Sequence, residues 1–134
     1  MASTEKYRDA VTFSFGDSPQ LADELLALVV AGQRTATCGA ARDFGPGKEA
    51  LPVVGRRDIV LDGRGEPAAV IETLEVVHRR FSEIDEQFAY DEGEGFRTRK
   101  DWREGHRAYF ERNGGWSEDI ELVCERFRLV EVLK

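Results

Sequence analysis

The sequence predicts a sheet-dominated α+β fold, and three observations carry that prediction. Asp62-Gly63-Arg64-Gly65 separates two β-rich runs, 58–61 and 68–77, and Asp-Gly is a hairpin signal because it tolerates the positive φ of a tight turn. A long apolar, β-branched run extends from Ile120 to Leu133. Two segments of helical periodicity, 19–31 and 98–113, interrupt the strands without the regular alternation of a doubly wound sheet.

The elements follow in order. Met1–Asp9 is polar, has no apolar leader-like core, and reads as a flexible N-terminal tail of a single domain spanning 1–134. Val11–Phe15 is the first strand. Ser18 is a good N-cap with Pro19 at the first helical position; Leu21, Leu25, Leu28 and Val29 form one apolar stripe, and Gly32 ends the helix as a left-handed cap. A strand follows over 35–38. Residues 40–51, with Gly45-Pro46-Gly47, show no periodicity and read as a long surface loop, a candidate lid. Ser82–Tyr90 is expected to be a short acidic helix capped by Ser82, with Asp85 three residues on. Thr98 opens a longer helix that ends near Asn113-Gly114-Gly115.

Composition bounds the function. A chain of 134 residues buries enough surface for one core without covalent staples. The 19 Lys and Arg residues stand against 26 Asp and Glu, a net charge of -7 that repels a phosphate polymer and excludes broad nucleic-acid coating. Cys38 and Cys124 sit in apolar strand contexts and read as buried free thiols, with a structural disulfide as the alternative. Two cysteines and two histidines without ligand spacing speak against a zinc site, so no metal and no cofactor is expected. No stretch of about eighteen apolar residues occurs, so a cytoplasmic protein without a membrane partner is expected. The oligomeric state is not legible in the sequence.

Four groups carry candidate chemistry. Gly32-Gln33-Arg34-Thr35-Ala36-Thr37 offers backbone N–H groups, a guanidinium and two hydroxyls within one turn, a set suited to an anion or a base edge; its plain alternative is a solvated helix-to-strand connection. Arg99, Arg103 and Arg107 recur at i, i+4 and i+8 and with Arg97 and Lys100 form a basic patch, either a phosphate track or a solvated face. Trp102, His106, Tyr109 and Phe110 make the opposite, aromatic face of that helix, either core or a stacking platform on which His106 adds a hydrogen-bond partner. Glu92-Gly93-Glu94-Gly95 places two acids in a flexible loop, fit for an exocyclic amine or general-base work, or simply solvated. Asp91, Glu92, Glu94 and His106 leave a weakly held divalent ion open.

In chain order, Gly32–Thr37, Leu51-Pro52-x-x-Gly55, Ile59-Val60-Leu61-Asp62-Gly63, Pro67-x-Ala69-Val70-Ile71-Glu72-Thr73, Phe88-Ala89-x-x-Glu92-Gly93-Glu94-Gly95, Trp102-Arg103-x-x-His106 and Leu122–Phe127 resemble the ASCH domain family over nearly the whole chain. The resemblance implies a PUA-like small mixed β-barrel flanked by helices, with a cleft for RNA or for a nucleoside or nucleotide. It also implies two hydrolase alternatives, an N4-acetylcytidine amidohydrolase and a metal-dependent ribonuclease. The amidohydrolase pattern places a catalytic lysine, threonine and glutamate at Arg34, Thr37 and Glu92. The groups above add Gly32, Thr35, Glu94, Arg99, Trp102, Arg103 and His106 as ligand-binding candidates, and the resemblance strengthens Trp102 and His106 among them. The lysine position is Arg34 here, and a guanidinium does not release a proton at neutral pH, whereas a desolvated lysine can. The substitution preserves binding and puts amide hydrolysis in doubt, with Lys48 in the loop the nearest replacement by sequence.

Overall fold

The computed structural model describes residues 5–94 and 98–133. Five strands form one sheet: β1 (Thr12–Phe13), β2 (Ala36–Ala40), β3 (Arg57–Leu61), β4 (Pro67–Arg80) and β5 (Glu121–Val132), in the order β1-β3-β4-β5-β2. Only β1 and β3 run parallel; every other neighbouring pair is antiparallel. Among the described residues, three α-helices accompany the sheet, α1 (Pro19–Val30), α2 (Glu86–Asp91) and α3 (Arg99–Arg112).

The mixed α+β class holds, but the expected closed barrel does not form: β1 and β2 are edge strands with no ladder joining them. With only two residues, β1 has length enough to pair with β3 and no more. The seam left between the edges is a cleft, lined by Thr12 and Phe13 on one side and Thr37–Ala40 on the other. A barrel that stops short of closure therefore exposes backbone and side chains at its opening, which is where a ligand can approach.

Helix α1 is built as its sequence dictates. Ser18 Oγ accepts from Leu21 N at 3.1 Å, and Gly32, at φ +81°, reverses the chain. Gly32 N donates to Val29 O and Gln33 N to Leu28 O, the paired bonds of a Schellman cap. The stripe buries Leu25 and Val29 against Phe15, Val60, Ile71 and Phe127 on one face of the sheet. Helices α2 and α3 cover the other face, where Trp102, Phe110, Phe81 and Phe88 pack on Ala36, Leu122 and Cys124. Each large side chain so buried contributes about 1.5–3 kcal/mol of apolar transfer energy.

Two expectations move. The acidic helix starts at Glu86 rather than Ser82, because Asp85 is the residue whose carboxylate accepts from Phe88 N (2.8 Å); 81–83 is a single 3-10 turn. In 5–9, the described part of the expected tail, Tyr7 is buried and its hydroxyl donates to Glu131 Oε2 at 2.5 Å. The 40–51 loop contains a 3-10 turn, Ala41–Asp43, and a bridge between Phe44 and Glu49.

Candidate functional site

The site begins where two chain reversals meet. Thr35 N donates to Asp91 O at 2.9 Å, and the position of a Cβ on Gly93 would lie 2.4 Å from Gln33 O, so the turn after α1 and the turn after α2 are in backbone contact. Gly93, at φ +73°, permits both that proximity and the reversal. This contact puts Arg34 beside Glu92 and Glu94, far away in sequence. Arg34 Nη1 donates to Glu92 O at 2.7 Å and lies 3.6 Å from Glu92 Oε2 and 3.4 Å from Glu94 Oε2. Its Nη2 donates to Thr37 Oγ1 at 2.9 Å, and its guanidinium lies over the Phe15 ring. Arg34 is 4% exposed, and its Nε has no hydrogen-bond partner among the described residues.

Glu92 is the centre of the arrangement and only 1% exposed. Its Oε1 accepts from Trp102 Nε1 at 2.7 Å and faces the Cys38 thiol at 3.5 Å. Its Oε2 faces His106 Nε2 at 3.3 Å. His106 Nδ1 meets Trp102 O at 3.1 Å; a carbonyl only accepts, so Nδ1 carries a hydrogen. The opposite nitrogen then meets a carboxylate oxygen, another acceptor, and the contact closes with a proton between them, as an imidazolium–carboxylate pair. Trp102 thus orients both partners, one through its indole N–H and one through its carbonyl, and its ring stacks on the imidazole at 4.2 Å.

The electrostatics agree with that protonation. Burial opposes charge on Glu92, but His106, Arg34 and the Trp102 N–H outweigh it and hold the carboxyl below its ordinary value. Burial likewise opposes charge on His106, and Glu92 and Glu94 outweigh it, raising the imidazole above its ordinary value. Glu94 is raised, chiefly by burial. The Cys38 thiol is pushed well up by burial and by Glu92, so it stays a protonated donor.

Two recesses that share lining residues open beside this network. One, of about 210 Å³, is lined by Arg34, Thr37, Cys38, Glu92, Glu94 and His106. The other, of about 220 Å³, occupies the open seam and is walled by Asp43, Glu49, Asp58 and Glu125 with Phe13, Phe44 and Tyr109. Gly16, Thr37, Cys38, Tyr109 and Phe110 line both. Burial raises Glu49 and Glu125, the latter also accepting from Thr73 Oγ1 at 2.6 Å. Asp58 is bound by Arg56 at 2.7 and 3.0 Å. The seam is an acceptor-rich, aromatic space, and the inner recess is a mixed one.

The structure brings Arg34, Thr37, Glu92, Glu94, Trp102 and His106 together. Trp102 is 0% exposed, so its ring is core and hydrogen-bond scaffold rather than a free stacking platform. Gly32 shapes the helix end, and the Thr35 side chain is exposed while its backbone spans Asp91 and Phe127. The arginine stripe is elsewhere and tied down: Arg99 donates to Ser82 O, Arg103 to Glu118, and Arg107 lies over the Trp116 ring. Arg97 and Gly95 lie outside the described residues. Lys48 donates to Arg42 O at 2.7 Å and lines neither recess, so it does not take the place of a lysine at 34. Asp91 is paired with Arg126 at 2.6 Å, whereas Cys38, Glu92 and His106 present ligand atoms within 4.8 Å of one another, a set able to hold a cation. No ligand spacing revealed that set because its members come from β2, the α2 exit and α3. Cys38, Asp58 and Glu125 carry no site signal in the sequence, where Cys38 stands out only as a thiol in an apolar strand.

Comparison with known proteins places the chain. A family model described as the ASCH domain matches residues 11–131. The chain belongs to the ASCH domain family. A solved protein from Enterococcus faecalis V583 is 32% identical, with a TM-score of 0.83 over 96% of this chain and 83% of that one. The ASCH domain from Lactobacillus crispatus JV V101 is 29% identical, with a TM-score of 0.80 over 94% and 82% of the two chains. ASCH from Zymomonas mobilis, 13% identical with a TM-score of 0.54 over 92% and 70%, shares the fold. No curated protein matches the chain. No helix of this ASCH domain, among the described residues, is long and apolar enough to cross a membrane.

Proposed function

We propose that this ASCH domain binds a nucleoside or a comparably small polar heterocycle in the open seam and the adjoining inner recess. The observation that carries the reading is the shared floor of the two recesses at Thr37 and Cys38, with carboxylates and aromatic rings on one side and the Arg34 guanidinium on the other. A nucleobase presents amine donors and carbonyl acceptors on one flat edge. The acidic wall suits the donors, the Arg34–Thr37 side suits a carbonyl, and the rings of Phe44 and Tyr109 suit the apolar faces. The same wall opposes a phosphodiester chain, as does the net charge of -7. The ligand is therefore a free nucleoside rather than an RNA strand, and a ribonuclease reading is disfavoured by the same argument.

A second reading, nucleoside amide hydrolysis, is favoured by one contact. Arg34 Nη2 donating to Thr37 Oγ1 stabilises developing negative charge on that oxygen, as a nucleophile needs. Glu92 and His106 would then supply and accept protons, and Arg34 would stabilise charge without acting as a base.

Titration calorimetry with cytidine, N4-acetylcytidine, adenosine and a single-stranded oligoribonucleotide tests the proposal. A nucleoside is expected to bind at micromolar to millimolar concentration and the oligonucleotide not at all near physiological salt. Oligonucleotide binding that is tighter and weakens steeply with salt would overturn it.

A further inference from the structure

Cys38 and Cys124 stand directly opposite each other on β2 and β5. The ladder's alternation fixes their spacing. Phe127 N donates to Thr35 O at 3.0 Å, which makes 35/127 a hydrogen-bonded pair; an odd number of steps along, 38/124 is a non-hydrogen-bonded pair. In such pairs the Cα atoms lie about 4.5 Å apart and the side chains share one face. That separation is within the roughly 4.4–6.8 Å that a disulfide spans. Both side chains pack in the same apolar cluster under α2 and α3, and both are free thiols. They differ in access: Cys38 lines both recesses, while Cys124 lies in the core behind it.

We propose that Cys38 and Cys124 are an oxidation site, in which a low-molecular-weight disulfide entering the cleft is reduced and a cross-strand disulfide forms. The Cys38 thiol gives its proton to solvent and attacks one sulfur of the small disulfide. That S–S bond breaks, and one small thiolate leaves and takes up a proton. The Cys124 thiol, likewise deprotonated, attacks Cys38 Sγ and expels the second small thiolate. Two protein thiols are oxidised, one small disulfide is reduced to two thiols, and protons balance. The product has no Cys38 S–H to face Glu92 Oε1, so it alters the floor that the proposed ligand shares with the buried network. This effect on binding rests on the nucleoside reading; disulfide formation does not.

Both thiols are held in the apolar cluster, and exchange runs through the thiolate, so it is slow at neutral pH and faster at alkaline pH. The experiment treats the full chain with oxidised glutathione at alkaline pH and maps unreduced peptides by mass. The expected result is a 38–124 linkage, loss of both free thiols and no covalent dimer. Cys124→Ser should stop at a glutathione adduct on Cys38, and Cys38→Ser should leave Cys124 unreacted over the same time. Wild-type protein that ends as a stable adduct, links between chains, or keeps both thiols while unfolded protein reacts would overturn the proposal. The oxidised protein should bind cytidine at least tenfold more weakly than the reduced; equal affinity with the linkage in place would sever the oxidation site from the cleft.

Discussion

Arg34, in the turn after α1, and the arginines along α3 are alike in the sequence as candidate anion contacts, yet they end in opposite environments. Arg34 is buried and reaches Glu92, Glu94 and Thr37, on the wall of a recess. Arg103 is partly exposed and Arg107 exposed, and each is already engaged, by Glu118 or by the Trp116 ring and Glu111. Burial, rather than the number of charges in a stripe, decides which cation has chemistry to do. A buried charge is strongly coupled to its partners, whereas a surface ion pair contributes about 0–1 kcal/mol and is screened by salt.

Breaking the buried side should have the largest effect. Glu92→Ala removes the carboxylate that Arg34 and His106 share, leaving Glu94 alone to offset both, and is expected to destabilise by about 3–5 kcal/mol in urea unfolding. A loss under 1 kcal/mol would mean that the network is not coupled as its distances imply. Trp102→Phe keeps most of the packing but removes the N–H on Glu92 Oε1, for an expected loss of about 1–3 kcal/mol. Arg34→Lys keeps the charge and restores a group able to release a proton. Nucleoside affinity should stay within about tenfold while N4-acetylcytidine deacetylation appears or rises. Robust turnover by the Arg34 protein, no faster with lysine, would make the protein an enzyme that needs no base at this position.

The pH dependence sharpens the same contrast. Glu92 is lowered, so its contribution is present above the unfolded value of 4.5 and is lost as pH falls through its folded value. His106 is raised, so its contribution is complete below 6.5 and is lost as pH rises through its folded value. Stability should therefore decline as pH rises above 6.5, and His106→Ala should flatten that limb in thermal melts across pH. The smallest effect is expected from Arg107→Ala on the surface stripe, within about 1 kcal/mol of stability and with no change in nucleoside affinity.

The periodic features were legible and the contacts between distant turns were not. Ser18, Pro19 and Gly32 mark the limits of α1 because capping is local chemistry. Asp62-Gly63 marks the β3–β4 hairpin for the same reason. The open seam was hidden: nothing in Val11–Phe15 announces that only two of its residues pair, and closure of a barrel depends on that length. Trp102 and His106 were readable as one face of a helix, but only Glu92 coming from another element decides that the indole points inward to donate. Ser82 resembled a cap as well as Asp85 does, and a 3-10 turn separates the two choices.

The contact of Gly93 with Gln33 has a consequence for how such proteins diverge. Because the two reversals are held main chain to main chain, through Thr35 N to Asp91 O and the missing side chain at 93, the Cα of residue 34 is fixed independently of what it carries. The residue at 34 can then drift between lysine and arginine without dragging the scaffold along. Any side chain at 93 would instead meet Gln33 O at 2.4 Å and push the two turns apart. Chemistry at the site is thus free to vary at one position, provided that a neighbouring position stays empty.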